Sequence, residues 1–225
     1  MVKIPDISYL FIDAKIISYN RGELIIRSDD DPQGVYLIEA GFVKALSKTN
    51  GSEYIHLIFS RGDVFPLAWS IDGSRREINF KALTPVIVKR VSRDQFLNTL
   101  LSNPTRYKLF LDYVMYMMLT YTDRVENLRY KYASDRVIYR LLFLSSRFGN
   151  KKGKQISLKI PITHNDLASS LSLSVKTVSR ELNRLRRKGL IVESRDEMVI
   201  LDYEKLNKQL SMTINNHIIE ILNAT

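Results

Sequence analysis

Eight apolar residues, Tyr107, Leu111, Val114, Met118, Tyr121, Val125, Leu128 and Tyr132, recur at alternating steps of four and three. A strand cannot carry that period, because its side chains alternate between faces every two residues. The run needs a helix of about seven turns. A heptad seam sustained over more than three repeats is also what lets two helices wind around each other. Leu111, Val114, Met118, Tyr121, Val125 and Leu128 are therefore expected to form the seam of a homodimer. Phe110, Tyr113 and Met117 lie off the seam and suit packing against the rest of the same chain. A single helix buried only in its own domain is the plainer alternative. Ser102-Asn103-Pro104 supplies a start, since Pro is harmless in a first helical turn.

The long helix divides the chain. Before it, KIISY, ELIIR, VYLIEA, FVKALS, YIHLIF and VIVKRVS are short, mostly alternating and rich in Val, Ile and Tyr. Turn residues separate them, and Asn50-Gly51 is the strongest hairpin signal because both residues tolerate positive φ. Strands so closely spaced predict a small barrel or roll. After the helix, Ala133-Ser134-Asp135 is expected to break it and cap a second amphipathic helix over 136–148. GNKKGK (149–154) reads as an exposed polar loop.

The most specific signal follows. Thr163 and Asp166 stand three apart, as a near capping box requires, and Leu167, Ala168 and Leu171 give one short apolar face. Ser172-Leu173-Ser174 breaks that helix, and Ser174 can cap the next. Val178, Leu182 and Leu185 supply the second buried face, and Gly189 stands where a terminating glycine belongs. Two short helices joined by a tight turn make a helix-turn-helix. At 100° per residue the buried side chains gather at roughly 280° to 340° from Val175, and the opposite arc is polar and basic. Val175, Lys176, Ser179 and Arg180, near its N-terminus, are the candidate base-reading residues. Arg180 can reach guanine bidentately, Lys176 can donate to it less rigidly, and Val175 suits a thymine methyl. Thr163, Ser174, Thr177, Arg184, Arg187 and Lys188 are candidate phosphate contacts, with Arg186 beside them. LIVES and MVILD then read as a hairpin around a tight turn, and residues 203–222 as a final helix built on Leu206, Leu210, Ile214, Ile218, Ile219 and Leu222.

Charge agrees with this reading. The net charge is +10, and residues 150–225, with 13 basic and 8 acidic side chains, carry half of it. Such an excess points to a polyanion, nucleic acid before anionic membrane. The absence of cysteine removes disulfides, iron–sulfur clusters, thiolate zinc sites and cysteine nucleophiles, and it suits a reducing cytoplasm. MVKIPDISYLFIDAKI lacks an apolar signal core, and no run reaches the ~20 apolar residues of a membrane span. No nucleophile–base motif, metal spacing or glycine-rich phosphate loop appears, so neither an enzyme nor a cofactor is expected.

Taken together, THNDLASSLSLSVKTVSRELNRLRRKGLI (163–191), GVYLIEAGFVK (34–44), GDVF (62–65) and RVENL (124–128) resemble the Crp/Fnr family of bacterial transcription regulators over nearly the whole chain. The resemblance implies an α+β chain: a cyclic-nucleotide-binding-like β-roll (1–103), a long dimerisation helix and hinge (104–133), and a winged helix-turn-helix (134–225). It implies a homodimer on a two-fold-symmetric double-stranded DNA site, with RNA polymerase a candidate further partner and the small-molecule effector unknown. Two departures stand out. The family's cyclic-nucleotide binders carry Gly-Glu after the GDVF-like turn, where this chain has Pro66, and Arg followed by Ser or Thr, where it has Arg76-Glu77. A carboxylate there would repel a phosphate, so no cyclic-nucleotide site of the usual kind is expected. Arg75, Arg76, Trp69, Tyr121 and Thr122 remain as candidate effector-pocket residues, with Arg75 and Arg76 read as solvated loop charges. Lys176 stands where many members have Glu, so the operator should differ. His56, His164 and His217 could in principle ligate haem, but each stands alone and is expected to be structural. The competing reading is a small-molecule sensor that acts through protein contacts and has a vestigial DNA site.

Overall fold

The computed structural model describes residues 4–49, 51–194 and 197–210. Its contacts divide the described chain into two compact units, residues 4–118 and 119–210. The architecture is mixed α and β, as expected.

The first unit opens with a 3-10 turn, Ser8–Phe11, and then runs through β1 (Lys15–Tyr19), β2 (Leu24–Ile26), β3 (Val35–Ala40), β4 (Val43–Thr49), β5 (Ser52–Phe59) and β6 (Val64–Phe65). A short helix α1 (Leu67–Asp72) precedes β7 (Asn79–Ala82), β8 (Val86–Val91), α2 (Arg93–Leu101) and α3 (Pro104–Leu128). Two four-stranded antiparallel sheets, ordered β1-β8-β3-β6 and β2-β7-β4-β5, form the roll. The register Thr49↔Ser52 leaves Asn50-Gly51 as the two-residue connection, with Asn50 outside the described residues. Six strands were expected here; β6 and β7 are additional. NFKA (79–82) alternates correctly, with Phe80 and Ala82 buried, but four residues beside an Arg-Arg-Glu turn are too few to announce a strand.

Inside the roll, Phe65 lies between two near-parallel rings. Its centroid is 4.8 Å from Phe80 and 5.3 Å from Tyr36, at interplanar angles of 19° and 9°. Phe59 leans on both Phe65 and Phe80 at 6.0 Å. These rings are buried together, and stacked aromatic side chains contribute both buried area and ring–ring attraction to the sheet interface. Phe96 of α2 joins Phe11 and Phe110 edge to face. Phe110, Tyr113 and Met117 are buried, as their off-seam positions require. The Tyr113 hydroxyl accepts the Val64 N–H at 2.6 Å, which ties α3 to the roll.

The second unit contains the C-terminal part of α3, α4 (Ala133–Phe148), β9 (Asn150–Lys152), β10 (Gln155–Leu158), α5 (His164–Leu171), α6 (Val175–Arg187), β11 (Ile191–Glu193), β12 (Met198–Ile200) and α7 (Tyr203–Asn207). One antiparallel sheet is ordered β11-β12-β10-β9. Three details differ from expectation. Tyr132 continues the heptad numerically but not on the helix: α3 ends at Leu128, Tyr130 is buried, and Tyr132 is the N-cap of α4. Ser134 and Asp135 do not cap α4, which already begins at Ala133, and Asp135 is buried in its first turn. GNKKGK is a hairpin rather than a loop, with Gly153 at φ +63 turning the chain so that Lys152 faces Gln155. Of the expected 203–222 helix, α7 covers Tyr203–Asn207 and ends there with Lys208 as its C-cap, so Leu210 lies past it; Ile214, His217, Ile218, Ile219 and Leu222 lie outside the described residues.

This unit also buries charge. The Tyr139 hydroxyl donates to Asp123 Oδ1 at 2.7 Å, with Arg140 close by and also buried. Burial pushes the Asp123 carboxyl up to about 7, although the Tyr139 hydrogen bond and Arg140 pull the other way. Burial lowers Arg140 to about 10, a shift that the Asp123 charge limits.

Candidate nucleic-acid interface

Local chemistry builds the two helices around Leu173. The Thr163 hydroxyl accepts the Asp166 N–H at 3.0 Å, and Asp166 Oδ2 accepts the Thr163 N–H at 3.1 Å, closing the capping box. Ser172 ends α5 in the left-handed region at φ +53, a conformation that costs a residue with a Cβ roughly 1–2 kcal/mol. Ser174 caps α6 by accepting the Thr177 N–H at 3.1 Å. Gly189, at φ +65, ends the stretch. Val178, Leu182 and Leu185 are fully buried, and they fasten α6 to the unit.

The opposite face of α6 is open. Val175 is 43% exposed, Lys176 and Arg180 are exposed, and Ser179 is half-buried. These four side chains follow one another along the first turns, so the structure brings the candidate base-reading residues together. Lys176 and Arg187 have no hydrogen bond or ion pair among the described residues. The candidate phosphate residues are less uniform. Ser174 and Thr177 share a 2.8 Å hydroxyl contact, Lys188 reaches Gln209 Oε1 at 2.7 Å, and Thr163 is engaged with Asp166.

Sequence reasoning overlooked Glu181. It is buried among cations, accepting from Arg184 Nε at 2.8 Å and from Arg180 Nε at 3.3 Å. Its place on the wheel, roughly 240° from Val175 and next to Leu185, was the available signal. One carboxylate thereby holds two arginines at Nε. It overlooked also that His164 touches both α6 and the β11–β12 hairpin. That hairpin pairs Ile191↔Ile200, Val192↔Val199 and Glu193↔Met198, as the sequence predicted; Arg195 and Asp196 lie outside the described residues.

Elsewhere, Leu111, Met118, Tyr121, Val125 and Leu128 are exposed along α3 and Val114 is half-buried, so the heptad seam is uncovered in the single chain. Within the first unit, the candidate effector residues Arg75 and Arg76 pair with different carboxylates. Arg76 pairs with Asp72 at 3.3 Å and Arg75 with Asp31 at 3.5 Å, all four well exposed. Arg75 lines a surface basin with Arg27, Lys48, Glu53, Glu77 and Lys81, whereas Trp69 is half-buried on α1. Tyr121 and Thr122 belong to the second unit. His56 Nε2 contacts Ser47 Oγ at 2.9 Å. Among the described residues no group of three or more His, Asp or Glu side chains is placed to hold a metal ion. No helix among them is long and apolar enough to cross a membrane.

Comparison with known proteins agrees with both halves. The pattern of the cyclic nucleotide-binding domain matches residues 16–103, and that of the Crp-like helix-turn-helix domain matches residues 135–209. Electron transport regulator A of Shewanella oneidensis is 26% identical over 200 residues, covering 83% of this chain and 75% of its own. The structure of FixK2 from Bradyrhizobium japonicum superposes with a TM-score of 0.77 at 22% identity, covering 89% of this chain and 99% of that one. A CRP/FNR-family transcriptional regulator from Thermus thermophilus gives 0.68 at 20% identity, covering 88% and 99%.

Proposed function

The chain belongs to the Crp/Fnr family of transcription regulators, and from that premise we propose that it acts as a homodimer on a two-fold-symmetric DNA site, without a cyclic nucleotide bound in the usual way. One observation carries the reading. α6 is fastened by Val178, Leu182 and Leu185 on one side and offers Val175, Lys176, Ser179 and Arg180 on the other. A helix so mounted presents its N-terminal residues to base edges in the major groove. Arg180, held at Nε by Glu181, has two terminal nitrogens for the O6 and N7 of a guanine. Ser174, Thr177, Arg184, Arg187 and Lys188, with Thr163, meet backbone phosphates, which supply most of the affinity.

The uncovered seam supports dimerisation. An apolar row of five exposed side chains on one helix is stabilised when a second copy covers it. In functional terms residues 1–103 sense, 104–133 dimerise and 134–225 bind DNA. The protein works in the cytoplasm beside RNA polymerase and performs no chemistry of its own.

Three features argue against a nucleotide in the roll. Phe59, Phe65, Phe80 and Tyr36 fill its centre. Pro66 leads into α1 where a Gly-Glu pair would be needed, and Arg76 is turned toward Asp72. The test is a mobility-shift assay on genomic fragments around the gene at moderate salt, without added ligand. A discrete shifted band is expected, unchanged by cyclic AMP or cyclic GMP. A band that forms only with a cyclic nucleotide would reverse the effector reading.

A further inference from the structure

His164 links three elements at the candidate interface. Its Nδ1 lies 2.8 Å from Ser179 Oγ on α6, and its Nε2 lies 2.8 Å from Glu193 Oε1 on β11. The imidazole and the carboxylate are largely covered, at 30% and 17% side-chain exposure. Arg186 Nη1 stands 3.9 Å from the other Glu193 oxygen. On its own helix the nearest acid, Asp166, is engaged by Thr163. Ser179 has no further hydrogen-bond partner among the described residues.

Hydrogen-bond roles follow from what each group can do. A carboxylate only accepts, so the proton of a singly protonated ring sits on Nε2 and is donated to Glu193. Nδ1 then carries a lone pair, and Ser179 must donate its O–H to it. The proton of that hydroxyl is committed inward, and only oxygen lone pairs face outward. In the major groove those lone pairs match an amino group, N6 of adenine or N4 of cytosine, and oppose the acceptors O6 and N7 of guanine and O4 of thymine.

We infer that the Glu193–His164 pair is a specificity relay, in which the hairpin fixes the imidazole tautomer and the tautomer makes Ser179 read an amino-bearing base. His164 and Glu193 are positioning residues: neither touches DNA. This inference rests on the reading of Ser179 as a base-facing residue.

The test is selection from a randomised duplex pool at pH 8.5, with the full-length dimer and its variants. The wild type should favour adenine or cytosine at one half-site position by about fivefold, the worth of a single hydrogen bond. Ser179→Ala identifies that position by losing the preference there. Glu193→Gln keeps size and contact, but its amide can donate as well as accept. The tautomer is then unlocked, and the preference at that position should fall to within about twofold. His164→Ala should do the same. The position read by Arg180 should keep its base in both variants. A preference left intact in Glu193→Gln and His164→Ala, or a wild-type preference for guanine or thymine at that position, overturns the relay. If Ser179→Ala changes no position at all, the reading of Ser179 fails instead, and the relay fails with it.

Discussion

The interiors of the two units are built from different materials. The roll is closed by carbon: Tyr36, Phe59, Phe65 and Phe80 stack on one another, with the buried Asp63 carboxylate accepting the Ser60 N–H at a turn. The DNA-binding unit buries Asp123, Arg140, Arg147, Asp166 and Glu181 along with its leucines. Stacked rings gain from contact area and do not respond to pH. Buried charges do respond, because burial and partners alter the cost of ionising them. The difference therefore teaches where each unit can be adjusted: the roll by shape, the helical unit by protons and counter-charges.

The sharpest way to break this comparison is to delete a ring. Phe80→Ala should cost about 3–5 kcal/mol of unfolding free energy, the usual loss for a buried aromatic side chain. Denaturant melts of the first unit at pH 5 and pH 8 should show that loss to be the same at both. A cost under ~1 kcal/mol would mean that the aromatic cluster is not what holds the sheets.

Asp123→Asn tests the other interior. The folded state holds the Asp123 proton up to about 7, whereas an exposed carboxylate releases it near 4. Wild-type stability from this group is thus present below pH ~4 and declines as pH rises to about 7. Relative to the wild type, Asp123→Asn should gain up to about 4 kcal/mol across that interval and nothing beyond it. Parallel stability–pH curves for the two proteins would contradict the burial of a proton at Asp123.

On the DNA face the expected effects are smaller and divide by role. Arg180→Ala should lose about 1–3 kcal/mol on a selected operator and relax one base position, measured by competition against single-base variants. Equal weakening on random and selected duplexes would remove its reading role. Arg187→Ala, exposed and unpaired among the described residues, should weaken all sequences alike and reduce the slope of log K against log salt by about 1 per recognition helix.

Much of this was legible in the sequence, for physical reasons that differ by element. The long helix was visible because one period runs through 22 residues from Tyr107 to Leu128, and no other element satisfies it. The helix-turn-helix was visible because caps, apolar steps and the terminating Gly189 all point the same way. What escaped notice was short or depended on partners distant in sequence. β6 is two residues long, and β9 is three lysine-rich residues held by pairing with β10. Tyr132 fits the heptad, but the helix ends at Leu128, and the chain turns there with Tyr130 buried. Within the candidate site, Val175, Lys176, Ser179 and Arg180 followed from a helical wheel, because their exposure depends only on which face is buried. Glu181 stood on the same wheel beside Leu185 and was passed over, whereas the His164–Glu193 contact spans 29 residues and no local pattern encodes it.

The central claim is that two copies of α6 enter successive major grooves of one duplex. Hydroxyl-radical and methylation footprinting of the selected operator, together with sedimentation of the complex, tests it directly. The account predicts two chains per duplex and two protected major-groove patches, related by a two-fold axis and about 34 Å apart. A single patch, a one-to-one complex, or no protection at low ionic strength would contradict it.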